Sequence, residues 1–134
     1  MYPFFFGYGD LALLFLRVVL AVIFIVHGWS KVNNLKKNTE AFNAMGFKPG
    51  SFWGTIAALL EFFGGIAFFF GIFTGWLAFL FAGEFLVILI WRLAKNHRFV
   101  SGWEFDLLIF AALLLFVSIG AGHFVFDRVL FMGY

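Results

Sequence analysis

Residues 59–71 read LLEFFGGIAFFFG, an apolar run fit for lipid that carries one carboxylate, Glu61. A second acid, Glu84, interrupts LFAGEFLVILIW in the same way. An ionisable side chain inside hydrocarbon costs roughly 2.5–3.5 kcal/mol on insertion scales. The composition around these stretches decides the fold class. Of 134 residues, 64% are hydrophobic and 12% charged, and Phe alone occurs 24 times. That charged share is about half of the roughly 25% usual in soluble domains. A soluble chain of this length has too little interior to hide so much apolar surface. The expectation is an all-α integral membrane protein in one domain, 1–134.

Membrane helices need about 20 apolar residues. Four stretches qualify, at about 11–30, 52–73, 75–94 and 103–119, and predict a four-helix bundle. Asp10 reads as the N-cap of the first. The helix-hostile KPGS precedes the second, and only Thr74 and Gly75 separate the second from the third. In the long loop between spans one and two, NTEAFNAMG predicts a short helix with Asn38 as cap and Gly46 as stop. Its Phe42 and Met45, with Phe47, suggest that it lies on the membrane surface. Trp29, Trp53, Trp76, Trp91 and Trp103 all fall near predicted helix ends, as an interfacial belt requires. The opening MYPFFFGYGD lacks the basic region of a signal peptide.

Call the face that bears the N-terminus side A. Side B then holds Lys31, Lys36, Lys37, Lys48, Lys95 and Arg98, with Arg92 just inside, whereas side A has only Arg128 outside the spans. The positive-inside rule predicts a cytoplasmic side B and both termini outside. A net charge of +2 is too small to imply nucleic acid. The absence of cysteine excludes disulfides, thiolate metal sites and a CxxC redox centre.

Depth counting at 1.5 Å per residue, from the side A turn, places Glu61 about 20 Å deep, Glu84 about 15 Å and Arg17 about 10 Å. These three form a candidate mid-membrane polar cluster. A second candidate cluster near side B contains His27, Lys31, Arg92, Glu104 and Asp106. His27 and Lys31, four apart, share a helix face. Around Glu61 the positions Gly54, Ala57, Ala58, Gly64 and Gly65 form a row of small residues, the mark of close helix packing in membranes. Glu61 is therefore expected to point inward. Each cluster also has a plainer reading. Arg17 with the glutamates would be an ion pair fixing helix packing, His27 a hydrogen-bonded histidine at a helix end, and Glu104 and Asp106 acids favouring a helix N-terminus. No second histidine lies in a span at the depth of His27, so a haem site is not supported. No phosphate loop, HExxH or dinucleotide fingerprint occurs, and no metal site is expected.

LRVVLAVIFIVHGWSKV in the first span resembles the signature of the DoxX family, with an early Arg and HG-x-x-K at the helix end. FNAMGFKPGSFWGTIAALLEFFGGIAFFFGIFT is similar to that family's loop and second span, GWEFDLLIFAALLLF to its fourth, and GAGHFVFDRVL to its closing segment. By position Arg17, His27, Gly28, Lys31, Glu61, Gly64, Gly65, Glu104 and Asp127 match its recurring residues. Gly75 stands where the family often has a basic residue, and Glu84 is peculiar to this chain. The resemblance implies a four-helix fold in a prokaryotic plasma membrane. The family includes small subunits described with thiosulfate:quinone oxidoreductase and partners of redox-defence complexes. The expected role is a membrane subunit in quinone-linked redox chemistry within a larger complex, with quinone as the possible cofactor and none bound covalently. The expected partners are the lipid bilayer and other membrane subunits or further copies of the chain. The alternatives are a non-catalytic scaffold or accessory subunit and, third, a proton or small-solute carrier.

Overall fold

The computed structural model describes residues 8–120, 122 and 125. The N-terminal MYPFFFG, His123, Asp127 and Arg128 lie outside them. Among the described residues the only regular structure is helical. Four helices are long and apolar enough to cross a membrane: Gly9–Val32, Gly50–Phe70, Thr74–Ala94 and Phe99–Ile119. They are spans one to four below. A short helix, Leu35–Met45, lies between the first two. The described residues divide into two compact units, one formed by Arg17–Phe70 and the other by residues 8–16 with the described residues from Gly71 onward.

Several boundaries move from their sequence expectations for local reasons. The first helix begins at Gly9, so Asp10 sits inside its first turn, not at the cap. The second span ends at Phe70, short of 73, because Gly71 (φ 75°) and Phe73 (φ 52°) take left-handed backbone and break the helix. The third therefore starts at Thr74 after a three-residue turn. The fourth helix proper is Glu104–Ile119. Ahead of it Phe99–Trp103 forms a wide turn closed by the Trp103 amide donating to the Arg98 carbonyl, 3.0 Å.

The short helix also starts earlier than expected. Asn34 is its cap, its side chain accepting from the Lys37 amide at 3.2 Å. Leu-Lys-Lys are good helix formers, so the helix extends back to the first competent cap. Gly46 does stop it, in a left-handed conformation with its amide on the Asn43 carbonyl. Asn38 is left free for a tertiary bond: it is buried, and its Nδ2 donates to the Gly54 carbonyl at 2.7 Å. Phe42 likewise packs against Gly54 of the second span. Phe42 of this interfacial helix is therefore also used for packing within the protein.

Within the Arg17–Phe70 unit, spans one and two run antiparallel in close contact. The Phe24 and Phe68 rings meet edge to face at 6.3 Å, and Trp29 lies 5.6 Å from Phe62. Two glycines set the distance. A Cβ on Gly28 would overlap the backbone of Phe62 and Glu61, and one on Gly65 would press Ile25 and Phe24 at 3.0–3.2 Å. All five small residues of the second-span row, Gly54, Ala57, Ala58, Gly64 and Gly65, are buried. In the other unit the third and fourth spans bury Ala78, Phe81, Phe85 and Leu89, and Ile109, Leu113 and Phe116, at the three-and-four spacing of a single helix face.

Candidate functional site

The second span is not a uniform α-helix. Leu60–Gly64 is a π-helical turn, and Glu61 sits in it. A π-turn inserts extra backbone into one helical turn, re-aims side chains, and occurs frequently at functional sites. Glu61 is 3% exposed. Its Oε1 accepts from Lys31 Nζ at 2.7 Å, an ion pair in which the lysine side chain keeps 25% of its surface and the glutamate 4%. The other carboxylate oxygen, Oε2, is buried and has no hydrogen-bond partner among the described residues. Lys31 Nζ also lies 5.9 Å from the centre of the Phe42 ring. That is within cation–π range.

This pair crosses the two expected clusters. The sequence expectation groups Glu61 with Arg17 and Glu84, and Lys31 with the side B set, yet Glu61 and Lys31 are partners. A depth count from side A obscures how near Glu61 lies to the other end. It stands eleven residues after Gly50, about 16 Å from the start of its helix. In helices side chains lean toward the N-terminus. Lys31, at the end of span one, therefore leans back into the membrane, and Glu61 on the antiparallel span leans toward it. Arg17 is buried at 3% exposure, and its Nη2 donates to the Phe69 carbonyl at 3.4 Å. Phe69 lies eight residues, about 12 Å, beyond Glu61 toward side A. Glu84 is half-buried on the third span, in the other unit.

The residues of the expected side B set fall in both units. His27 is exposed, and its Nδ1 lies 2.7 Å from the Ile23 carbonyl one turn back. A carbonyl only accepts, so Nδ1 carries the hydrogen. In the second unit Arg92 Nε stands 2.8 Å from Asp106 Oδ2, with Asp106 buried. The contact is an ion pair by distance, with the N–H not aligned on the oxygen. Glu104 Oε1 accepts from the Ser101 amide at 3.1 Å, the N-terminal role that acids favour. Among the described residues no group of three or more His, Asp or Glu could hold a metal ion.

Sequence reasoning assigns no role at the ion pair to Phe42, Asn38 or Asn43. Asn43 Oδ1 accepts from the Gly50 amide at 2.8 Å and, with Asn38, ties the short helix to the second span. The available signal is two asparagines five apart on a helix that caps itself elsewhere.

A family model described as DoxX matches residues 12–93. The chain is 30% identical over 124 residues to "Putative oxidoreductase CatD" of Bacillus subtilis (strain 168), covering 92% of this chain and 90% of that protein. It is 32% identical over 124 residues to "Inner membrane protein YqjF" of Escherichia coli (strain K12), covering 90% of this chain and 93% of the relative. No solved structure matches.

Proposed function

The chain belongs to the DoxX family of multi-pass membrane proteins, and on that premise we propose that it is a small subunit serving quinone-linked redox chemistry within a larger membrane complex. The observation that carries this reading is the part-buried Lys31–Glu61 pair, whose second carboxylate oxygen, Glu61 Oε2, has no hydrogen-bond partner among the described residues. The name of the CatD relative, an oxidoreductase, supports the redox class.

Reducing a quinone to a quinol adds two electrons and two protons and turns two carbonyl oxygens into hydroxyls. The residues present fit such a head group. Lys31 offers donors to a carbonyl oxygen, and Glu61 Oε2 offers an acceptor to a hydroxyl. Buried charge-assisted bonds of this kind are roughly twice as strong as neutral ones. The quarter-exposed lysine gives the pair a link to water. The chain contains no thiol, so in this reading a redox-active partner subunit supplies the electrons. With the basic loops cytoplasmic, the site opens on the cytoplasmic leaflet of a prokaryotic plasma membrane, and both termini lie outside.

The test is to purify the chain with its native lipids and partners and to quantify quinone extracted from it. The native protein should retain quinone, and Glu61→Gln and Lys31→Met should each lose at least about tenfold, one lost charge-assisted bond. Finding neither bound quinone nor quinone-dependent activity in the native assembly would sink the reading.

A further inference from the structure

The short helix Leu35–Met45 is tied to the second span beside Lys31. Leu35–Met45 turns three residues toward the second span. Asn38 Nδ2 reaches the Gly54 carbonyl at 2.7 Å, Asn43 Oδ1 takes the Gly50 amide at 2.8 Å, and Phe42 lies between these two latches. Gly54 has no side chain to keep them away: a Cβ there would meet Asn38 Nδ2 at 3.0 Å and Phe42 Cδ2 at 3.3 Å. So seated, Phe42 puts its ring 5.9 Å from Lys31 Nζ. The ammonium that bonds Glu61 is then held between a carboxylate and an aromatic face. The opposite side of the short helix is exposed and polar, with Lys36, Lys37 and Glu40.

We propose that Phe42 is the positioning residue of the Lys31–Glu61 site, and that the helix Leu35–Met45 is the cover through which Glu61 is reached from side B. The role rests on the reading of that pair as a functional site and adds its access route. Phe42 touches neither reacting atom. It holds Lys31 Nζ on Glu61 through the cation–π contact and by its bulk keeps water from the glutamate, while the lysine stays a quarter exposed. The two asparagine bonds are the latches that must release for the cover to lift.

The test uses the cover itself as the readout. Full-length protein, in detergent and free of quinone, is treated with a water-soluble carbodiimide and a small amine, and each carboxyl is followed by peptide mass spectrometry. In the native chain Glu40, on the exposed side, should be modified readily while Glu61 stays protected. Phe42→Ala should raise modification of Glu61 about fivefold or more. Phe42→Leu keeps apolar bulk against Gly54 without the ring face and should give a smaller rise, and Phe42→Tyr should restore native protection. Modification of Glu61 at the Glu40 rate in the native chain would overturn the cover. Equal Glu61 rates in native, Leu and Ala forms, with the helical circular dichroism unchanged, would overturn the positioning role. Because no quinone is present, protection of Glu61 that depends on Phe42 stands even if the purified assembly proves to hold no quinone. Retained quinone with Glu61 rates indifferent to Phe42 removes the cover alone.

Discussion

Gly28→Ala tests the contact on which the site is built. The added Cβ would stand 2.7 Å from Phe62 Cα and 2.8 Å from the Glu61 carbonyl carbon. Non-bonded carbons settle at about 3.5–4.0 Å, so the second span must retreat by roughly 0.8 Å or more at this point. Neither atom can swing aside, because both belong to helix backbone. Overpacking of this kind costs about 1–3 kcal/mol, and rigid neighbours place it at the upper end. Alanine recovers about 1 kcal/mol of helix propensity over glycine. The net expectation is a loss of about 2 kcal/mol, close to a thirtyfold fall in the folded-to-unfolded ratio. Gly83→Ala supplies the control. Gly83 lies inside the third span, and among the described residues nothing comes within 4 Å of the place a Cβ would take, so there alanine should stabilise by up to about 1 kcal/mol. The two substitutions are chemically identical and should differ by about 3 kcal/mol with opposite signs. Reversible unfolding in mixed micelles at rising dodecyl sulfate fraction, followed by circular dichroism, measures both. Gly28→Ala at or above native stability would refute the close backbone contact between spans one and two.

Lys31→Met leaves the Glu61 charge buried without its partner and should cost about 3 kcal/mol, the low end for a broken buried pair because the lysine is partly exposed. The double variant Lys31→Met with Glu61→Leu should recover most of that loss in the same unfolding assay. An additive double variant would show that the pair is not coupled. Asn38→Ala removes the bond to the Gly54 carbonyl and should destabilise by about 1–2 kcal/mol, with faster hydrogen exchange confined to the Leu35–Met45 helix. Unchanged exchange there would mean that Asn38 does not hold the helix. Ser101 is held at φ 58°, so Ser101→Gly should raise stability by about 0.5–1 kcal/mol, read as a shift in the unfolding midpoint.

The four helices are legible because their signals are one-dimensional. Length and unbroken hydropathy fix the spans, and Trp at their ends marks the limits. The row of small residues around Glu61 reveals its inward face. Sequence reasoning fails where three-dimensional competition decides. Asn38 looks like a cap because Asn caps helices, but Asn34 also satisfies the rule and starts a longer helix. The second span loses its last three residues to left-handed backbone at Gly71 and Phe73, a conformation that phenylalanine gives no reason to expect. The π-turn around Glu61 has no sequence signature of its own. The pairing of charges is the hardest part. Depth counting treats side chains as points on an axis, whereas Lys31 and Glu61 lean toward each other along antiparallel helices. Arg92 and Asp106, which sequence reasoning does group near one side, form a pair of their own.

That second pair bears on how the protein enters its membrane. Arg92 and Asp106 are joined across a single inter-helix loop, whereas Lys31 and Glu61 are thirty residues apart and need two spans and the intervening helix in place. A lone arginine or aspartate is costly in hydrocarbon, less so in the end turns where Arg92 and Asp106 lie. With the charges bridged locally, the third and fourth helices can leave the ribosome and pass into the bilayer as one hairpin, with no net charge on that pair. The N-terminal ion pair closes only after the second span has arrived and the short helix has folded back. The Lys31–Glu61 pair is thus the contact that reports completed packing of spans one and two, whereas the Arg92–Asp106 pair needs only its own hairpin.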